Sequence, residues 1–251
     1  MTGPTGIPES LEDAIAQARA ATRVALQDGV PRILIELVYP ELKAMPVAQQ
    51  FIPVLQEMGL SFKVYFPDAG AAALARRDWD NPDFSVRAIG ELKGQIEPDD
   101  EAFLFVEPSS VEVAAVEEMC NQAAGRPVIM LNPRLEDVAI VGIGYAARQL
   151  RERFLSTLES VYYLRPLEGA LMLRRYPDRW QIWRETGETE GSVQYELICE
   201  MPQKPSGEEL DQILLGDQAT AEGEGESAPP PKRRKGGLLA ELQSFIRALS
   251  Q

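Results

Sequence analysis

The sequence has no histidine and only two cysteines, Cys120 and Cys199. Without histidine the chain cannot form a Ser/His/Asp triad, a Cys/His dyad or a histidine general base. A zinc site built from cysteine and histidine is excluded for the same reason. Cys120 lies in a helical pattern and Cys199 in a strand-like one, so we expect both to be ordinary buried thiols. These absences predict no cofactor and no metal site, and they favour a protein that is not an enzyme.

Long hydrophobic runs are also missing. No stretch approaches the roughly 18 consecutive apolar residues of a membrane-spanning helix. Residues 1–10, MTGPTGIPES, have neither the basic start nor the apolar segment of a secretory signal. We therefore expect the protein to stay in a reducing, cytosol-like compartment. The 251 residues suffice for one substantial α/β domain with extensions, or for two small domains.

Positive charge is scarce outside the C-terminal end of the chain. The sequence has 25 lysine and arginine residues against 39 aspartate and glutamate residues, a net charge of −14. Because the last 20 residues carry +4, the first 231 carry −18. A body this acidic will not bind a nucleic-acid backbone. Only the basic end could do so, and its four clustered cations give little support, so we expect no nucleic-acid partner.

Two short apolar runs at 103–133, FLFVEPSS and RPVIMLNP, flank a short amphipathic helix. Runs without alternation indicate strands covered on both faces, at the centre of a mostly parallel sheet. Similar runs predict strands at 33–38, 62–66 and 161–164, whereas 85–89 is compatible with only a short one. The pattern predicts an α/β fold with a mostly parallel, five-stranded, Rossmann-like three-layer core.

Beyond residue 169 apolar residues recur at every second position. Apolar and polar residues alternate at 170–175, 180–185 and 193–200, which predicts an antiparallel meander with one solvent-exposed face. The meander either extends the parallel sheet or packs on it. We assign residues 1–216 to one α/β domain that includes this antiparallel extension at 169–201.

Polar residues follow each predicted parallel strand. In an open parallel sheet, ligands bind beyond the carboxyl ends of the strands, where the strand order reverses. These residues therefore predict a small-ligand site, the strand-end crevice, although every such fold also ends its strands in polar loops. We assign no catalytic residue. The candidate ligand-binding residues are Tyr39, Glu41, Asp68, Glu107, Ser109, Ser110, Asn132, Arg134 and Arg165.

Four further motifs are better explained by structure than by chemistry. Residues 142–147, GIGYAA, match a dinucleotide fingerprint, but the strand before them is poor and no acidic residue ends the next strand, which favours a plain glycine turn. Asp99 and Asp100 are expected in a solvated loop. Residues 174–183 place arginines beside Trp180 and Trp183, which could stack a base or pigment, but packing on the sheet is favoured. Ser109 and Glu112 fit a capping box.

The C-terminal end carries the strongest functional pattern. Residues 217–231, DQATAEGEGESAPPP, have the composition of a disordered linker, and 232–251 form a predicted basic amphipathic helix. We expect this helix to bind an anionic membrane surface or a partner; the alternative is that it folds back on its own domain or pairs with another chain. Its binding residues are Lys232, Arg233, Arg234, Lys235, Leu238, Leu239, Leu242, Phe245, Ile246 and Leu249.

The segments FLFVEPSS, RPVIMLNP, GIG with RQLRERF, VYYLRPLEGAL and RRYPDRWQIW occur in this order over about residues 8–201. Together they resemble an uncharacterised domain-of-unknown-function family of cyanobacteria and chloroplasts. That family includes the plant Low PSII Accumulation three protein, an assembly helper for a photosystem II subunit, and the C-terminal part of a chloroplast adenylate kinase. The resemblance implies a cyanobacterial protein that is cytoplasmic and peripheral at the thylakoid membrane, and it implies no catalytic residues.

Two functional hypotheses follow. The first is a non-enzymatic accessory or assembly factor of the photosynthetic apparatus, which binds a photosynthetic membrane protein or its assembly intermediate and is attached by its C-terminal helix. The second is a nucleotide- or phosphometabolite-binding protein, or an enzyme, that uses the strand-end crevice. The second hypothesis rests on fold analogy and on the kinase-fused relatives of the family.

Overall fold

Fully buried apolar runs form the centre of the sheet in the computed structural model, which describes residues 6–91, 96–136, 145–189 and 192–221. Strands β2, β4 and β5 are buried at every position, as the lack of alternation predicts. The strands are β1 (Arg32–Leu37), β2 (Phe62–Phe66), β3 (Ser85–Ala88), β4 (Ala102–Val106), β5 (Val128–Leu131), β6 (Glu159–Leu167), β7 (Ala170–Arg175), β8 (Trp180–Thr189) and β9 (Ser192–Met201).

The helices pack on both faces of this sheet. They are α1 (Leu11–Gln27), α2 (Ala44–Phe51), α3 (Pro53–Glu57), α4 (Ala69–Asp78), α5 (Val113–Gln122), α6 (Tyr145–Arg153) and α7 (Gly207–Ala221), with a 3-10 turn at Leu155–Thr157. One core contains buried side chains of α1 to α4, and a second core on the opposite face contains those of α5. Leu210 of α7 packs in a third, smaller cluster beside the second. The predicted α/β fold with three layers is therefore confirmed.

The predicted count of five strands in the parallel core is wrong, because six described strands pair in parallel within one sheet of nine. The order is β3-β2-β4-β5-β1-β6-β7-β8-β9. Strands β1 to β6 pair in parallel, and β7, β8 and β9 continue the sheet in antiparallel pairs. The meander thus extends the sheet instead of packing on it. This happens because β6 continues past Leu164 to Leu167 and turns at Gly169, whose φ of 69° suits glycine, straight into β7.

A buried ion pair lies at the amino-terminal end of β2. Lys63 is 5% exposed, and its Nζ lies 2.9 Å from Asp100 Oδ2 and 2.6 Å from Glu97 Oε2. Asp100 is 7% exposed, whereas Asp99 is exposed. The prediction of a solvated acidic pair is therefore wrong for Asp100. A run of acids in the sequence does not reveal that a lysine on a neighbouring strand points inward at the same edge.

The C-terminal part of the chain is described only as far as Ala221. Helix α7 runs from Gly207 to Ala221 and so extends into the stretch assigned to the linker from residue 217. The rest of the predicted linker and the whole predicted amphipathic helix at 232–251 lie outside the described residues. In the part of the chain that is described, no helix has both the length and the hydropathy needed to cross a bilayer.

Candidate functional site

The strand-end crevice opens between β1 and β5. The chain leaves β1 towards α2 on one face of the sheet and leaves β5 towards α6 on the other, so these neighbouring strands form a switch point. Cavities of about 280 Å³ and about 700 Å³ lie beyond their carboxyl ends. The predicted residues that line these cavities are Tyr39, Glu41, Glu107, Ser109, Asn132 and Arg134.

An ion pair stands at the centre of the crevice. Arg134 Nη2 lies 3.1 Å from Glu107 Oε1, and both residues line both cavities. Burial raises the pKa of Glu107, and the guanidinium of Arg134 acts in the opposite direction. The backbone of Arg134 is held in place because its N–H donates to the carbonyl of Pro108 at 2.7 Å. The pair therefore leaves an exposed guanidinium edge that can bind an anion or a carbonyl.

Three residues around the crevice have left-handed backbones. The φ angles are 60° at Glu41, 49° at Glu107 and 48° at Asn132. Such conformations are costly for residues other than glycine and cluster at functional sites. The conformation of Asn132 is stabilised by its side chain, because Oδ1 accepts a 2.7 Å hydrogen bond from the backbone N–H of Leu37. This bond joins the ends of β5 and β1 and fixes the floor of the crevice.

Two substitutions of Asn132 separate the contribution of its side-chain hydrogen bond from the cost of its left-handed backbone. We expect Asn132→Gly to lower the free energy of unfolding by about 1–3 kcal/mol, because the N–H of Leu37 loses its acceptor. Asn132→Ala should lose about 1–2 kcal/mol more, because alanine also resists the left-handed backbone. Urea unfolding followed by circular dichroism measures both values. Equal losses in the two variants would show that the left-handed backbone costs nothing here.

Tyr39 is a buried member of the crevice. It is 8% exposed and belongs to the core beneath α1 and α2. Its hydroxyl has no hydrogen-bond partner in the described part of the chain. Burial raises the pKa of this phenol, and the nearby Tyr162 and Tyr195 act in the same direction. Tyr39 thus remains a neutral phenol and cannot serve as a base at neutral pH.

The remaining predicted residues lie elsewhere. Asp68 is the N-cap of α4, where its Oδ1 accepts from the N–H of Ala71 at 2.9 Å. Arg165 is exposed inside β6, because that strand continues beyond the predicted end, and it lines neither crevice cavity. Ser110 lines a neighbouring cleft. Structural roles thus account for the positions of Asp68 and Arg165.

Ser109 and Glu112 are in contact, but not at the start of a helix. The Ser109 hydroxyl donates to the Glu112 carboxylate at 2.6 Å, and the Ser109 backbone N–H donates to it at 2.9 Å. Helix α5 begins only at Val113, and Glu112 makes no side-chain cap. The pair therefore closes the turn before the helix. This turn holds Val111, which is 86% exposed, at the edge of the crevice.

A second and larger opening, the sheet-face cleft, was not predicted from the sequence. It has a volume of about 870 Å³ and lies over β1 and β6, between the apolar cluster beneath α5 and α6 and the cluster beneath α7. Leu34 and Ser160, which are register partners, lie on its floor with Glu36. The walls and rim are formed by Ser109, Ser110, Pro133, Arg134, Leu135, Glu136, Leu155, Leu158, Trp180 and Lys204.

The floor of the sheet-face cleft holds two polar groups without direct partners. Glu36 makes no hydrogen bond or ion pair with any described residue, and the Ser160 hydroxyl is buried without a partner there. Burial raises the pKa of Glu36, and Lys204 acts in the opposite direction. The sequence carried one signal for this site, since Glu36 is a lone charge in the apolar run ILIELV of β1.

Lys204 contacts a pair of aromatic rings in the part of the cleft next to Glu36. Its Nζ lies 3.9 Å from the ring centroid of Tyr163 and 5.5 Å from that of Trp180, and the two rings are 5.1 Å apart. The negative faces of aromatic rings attract an ammonium group, more strongly where water is excluded. Because Tyr163 is the register partner of Glu36, this cation lies beside the acid without forming an ion pair with it.

The pKa of Glu36 predicts how its replacement changes stability with pH. A carboxyl whose pKa is raised on folding stabilises the fold below its ordinary pKa of 4.5 and loses that contribution as pH rises through the raised value. Glu36→Gln removes the cost of burying the ionised form. We therefore expect the variant to be more stable than the wild type at pH 7, with a smaller difference at pH 4. Urea unfolding at both pH values tests this, and a gain that is larger at pH 4 would contradict it.

The two tryptophans of the predicted stacking hairpin lie on opposite faces of the sheet. Trp180 packs in the cluster under α7, whereas Trp183 packs against the core on the α1 side. They cannot stack on one ligand, and the favoured interpretation of sheet packing is confirmed. Of the GIGYAA motif, residues 142–144 lie outside the described residues, and Tyr145 begins α6.

Three apolar side chains are exposed in segments that follow parallel strands, and one of them, Val38, lines a cavity. Val38 lines the crevice and is 40% exposed, and Val111 is next to Ser110 of the sheet-face cleft. Tyr145 is 75% exposed at the start of α6, which leads from the carboxyl edge of the sheet to the wall residues Leu155 and Leu158. Apolar exposure around a cleft is typical of protein-binding surfaces. We call Val38, Val111 and Tyr145 the apolar rim.

The acidic and cysteine side chains of the described residues determine whether a metal-binding cluster or a reactive thiol is present. Among the described residues, no group of three or more cysteine, aspartate or glutamate side chains is arranged to hold a metal ion. Cys120 is buried, which raises the pKa of its thiol to about 12, and Cys199 is half-buried. Residues 8–212, nearly all of the described body, match the domain of unknown function DUF1995, and the chain therefore belongs to that family.

Proposed function

We propose that this protein is a non-enzymatic accessory or assembly factor of the photosynthetic apparatus, and that it binds a segment of a photosynthetic membrane protein. The observation that carries the proposal is the sheet-face cleft, which has apolar walls and whose lining residue Ser110 is followed by the exposed Val111. A cleft of about 870 Å³ with apolar walls suits a chaperone-like role, because it can hold an apolar segment of a partner. The resemblance to the Low PSII Accumulation three protein supports the photosynthetic setting of this proposal.

Photo-crosslinking tests the partner surface. A photoreactive amino acid is placed at Val111 or at Tyr145, and the full-length protein is incubated with solubilised thylakoid membranes. The matched control position is Leu74 of α4, which is 45% exposed on the opposite face of the sheet. We expect the same membrane protein to be crosslinked from Val111 and Tyr145 but not from Leu74. Crosslinking from all three positions, or from none, would refute the proposed surface.

The second half of the proposal concerns attachment. Residues 232–251 hold the acidic body at an anionic thylakoid surface or on the partner, through four adjacent cations and one apolar helical face. Each cation contributes roughly 1 kcal/mol near an anionic surface. Flotation with anionic vesicles compares the full chain with a chain ending at residue 231. We expect only the full chain to float; equal behaviour of the two forms would rule out a lipid anchor.

A second candidate function is the binding of a nucleotide or phosphometabolite, with or without catalysis. One observation favours it, since Lys43, Ser109 and Arg134 all line the larger crevice cavity and could hold a phosphate. Glu41 and Glu107 line the same cavity and oppose an anionic ligand. Thermal-shift measurements with ATP, ADP and inorganic phosphate decide the matter, because a ligand that binds the folded state raises its melting temperature. No shift with any of them would remove this candidate.

A further inference from the structure

The sheet-face cleft combines an apolar lining with one acid that has no direct partner. The other acid in its lining, Glu136, is ion-paired with Arg151, and Arg134 is ion-paired with Glu107. Glu36 alone among the acids of this lining has no ion pair or hydrogen bond with a described residue. Beside it on β6, the buried hydroxyl of Ser160 is also without a partner in the described chain. Glu36 is half-buried, and a carboxylate that faces an open cleft without a protein partner can accept hydrogen bonds from a cationic donor that enters the cleft.

The charge of the missing partner follows from its surroundings. The first 231 residues carry −18, so the protein attracts cations and repels anions. A half-buried carboxylate gains most from a cationic donor that reaches it, since the hydrogen bond is then charge-assisted. The adjoining Tyr163 and Trp180 already hold the ammonium of Lys204, which shows that an ammonium group fits the geometry of this end of the cleft.

The apolar lining determines the rest of the ligand. Leu34, Leu135, Leu155 and Leu158 surround the approach to Glu36 from the side of α6. An ammonium carried on an unbranched aliphatic stem satisfies both features, because its methylene groups pack against the leucines while the charged end reaches the floor. The volume of about 870 Å³ exceeds what one such side chain fills and leaves space for neighbouring apolar groups.

We infer that the sheet-face cleft recognises a lysine side chain within an apolar segment of the partner protein, with Glu36 as the acceptor of its ammonium group. This inference rests on the proposed function, since it names the chemistry by which the partner segment is bound. The leucines of the lining bury the aliphatic stem of this lysine. Lys204 is held by the aromatic rings next to Glu36 and forms no ion pair with it, so the carboxylate can still accept hydrogen bonds from a ligand.

Octylamine is a suitable probe, since it carries an ammonium on an aliphatic chain and can be compared with octanol and octanoate of equal length. Binding is measured by calorimetry and by intrinsic tryptophan fluorescence, to which Trp180 in the lining of the cleft contributes. We expect octylamine to bind the wild type about tenfold or more tightly than octanol or octanoate, as a charge-assisted hydrogen bond implies. Comparable affinities for the three probes, or no binding of octylamine, would overturn the inference.

Variants show which protein side chain is responsible for the preference for octylamine over octanol. In Glu36→Gln the preference for octylamine over octanol should fall about tenfold, while octanol binding is retained. The matched control, Glu118→Gln, removes the same charge from an exposed position of α5 outside the cleft and should keep the preference. An equal fall in both variants would mean that only the overall charge matters, which refutes a role for Glu36. The comparison of the three probes on the wild type needs no variant to fold.

The outcome is independent of the crosslinking test of the proposed function. Crosslinks from the apolar rim without a preference for octylamine would leave the partner surface in place and reject lysine recognition. A preference for octylamine that depends on Glu36, without crosslinks, would establish the chemistry of the cleft and reject the membrane-protein partner.

Discussion

The Lys63→Met substitution is expected to lower the free energy of unfolding by about 3–5 kcal/mol. The reason is the burial of both charges, since Lys63 and Asp100 are 5% and 7% exposed and lie 2.9 Å apart. Removing the lysine leaves the carboxylate of Asp100 buried without its cation, and the desolvation cost of that carboxylate is no longer offset. Chemical denaturation monitored by circular dichroism gives the free energy directly.

Two controls separate this effect from general damage. Glu97 also contacts Lys63, but its side chain is 58% exposed, so Glu97→Gln should cost less than about 1 kcal/mol. The double variant Lys63→Met/Asp100→Asn removes both buried charges and should recover part of the loss. The side-chain amide of the double variant can still accept from the backbone N–H of Glu97, as the Asp100 carboxylate does at 2.7 Å. A double variant as unstable as Lys63→Met would show that packing, not charge, is responsible.

The second large effect is expected at the centre of the sheet. Phe105→Ala should lower the free energy of unfolding by about 3–5 kcal/mol, through lost burial and the cavity left behind. Phe105 lies on β4, is fully buried, and stacks on Tyr65 at a centroid distance of 5.0 Å. Val111→Ala is the matched surface control, since that side chain is 86% exposed, and it should change stability by less than about 0.5 kcal/mol. Similar values for both variants would contradict the assignment of Phe105 to the core.

The sequence predicted best where burial is uniform. Strands β2, β4 and β5 are covered on both faces, so their apolar runs show no alternation and indicate a central parallel sheet. The number of strands was missed where the pattern is weaker. Strand β3 has only four residues with alternating burial, and it lies at the edge of the sheet. Whether the meander extends the sheet depends on pairing between β6 and β7, which periodicity alone does not specify.

The candidate site was predicted in part, for a comparable reason. Topology brings the carboxyl ends of neighbouring parallel strands together, which is why Glu107, Asn132 and Arg134 were found from their positions after strands. The same rule includes Asp68, although that residue caps a helix. The sheet-face cleft depends on a gap between helices on one face of the sheet. Its lining brings Lys204 together with Glu36, although the two residues are more than 160 positions apart in the chain. No local pattern encodes such a gap.

Strand β6 is the seam between the two halves of the sheet. It pairs with β1 of the parallel half on one side and with β7 of the antiparallel half on the other. The floor of the sheet-face cleft lies across the first of these junctions, since Leu34 belongs to β1 and Ser160 to β6. A ligand bound there contacts both strands and stabilises their pairing against local opening. A bound ligand would therefore slow hydrogen–deuterium exchange in β1 and β6 together, because it stabilises the junction between the parallel and antiparallel halves of the sheet.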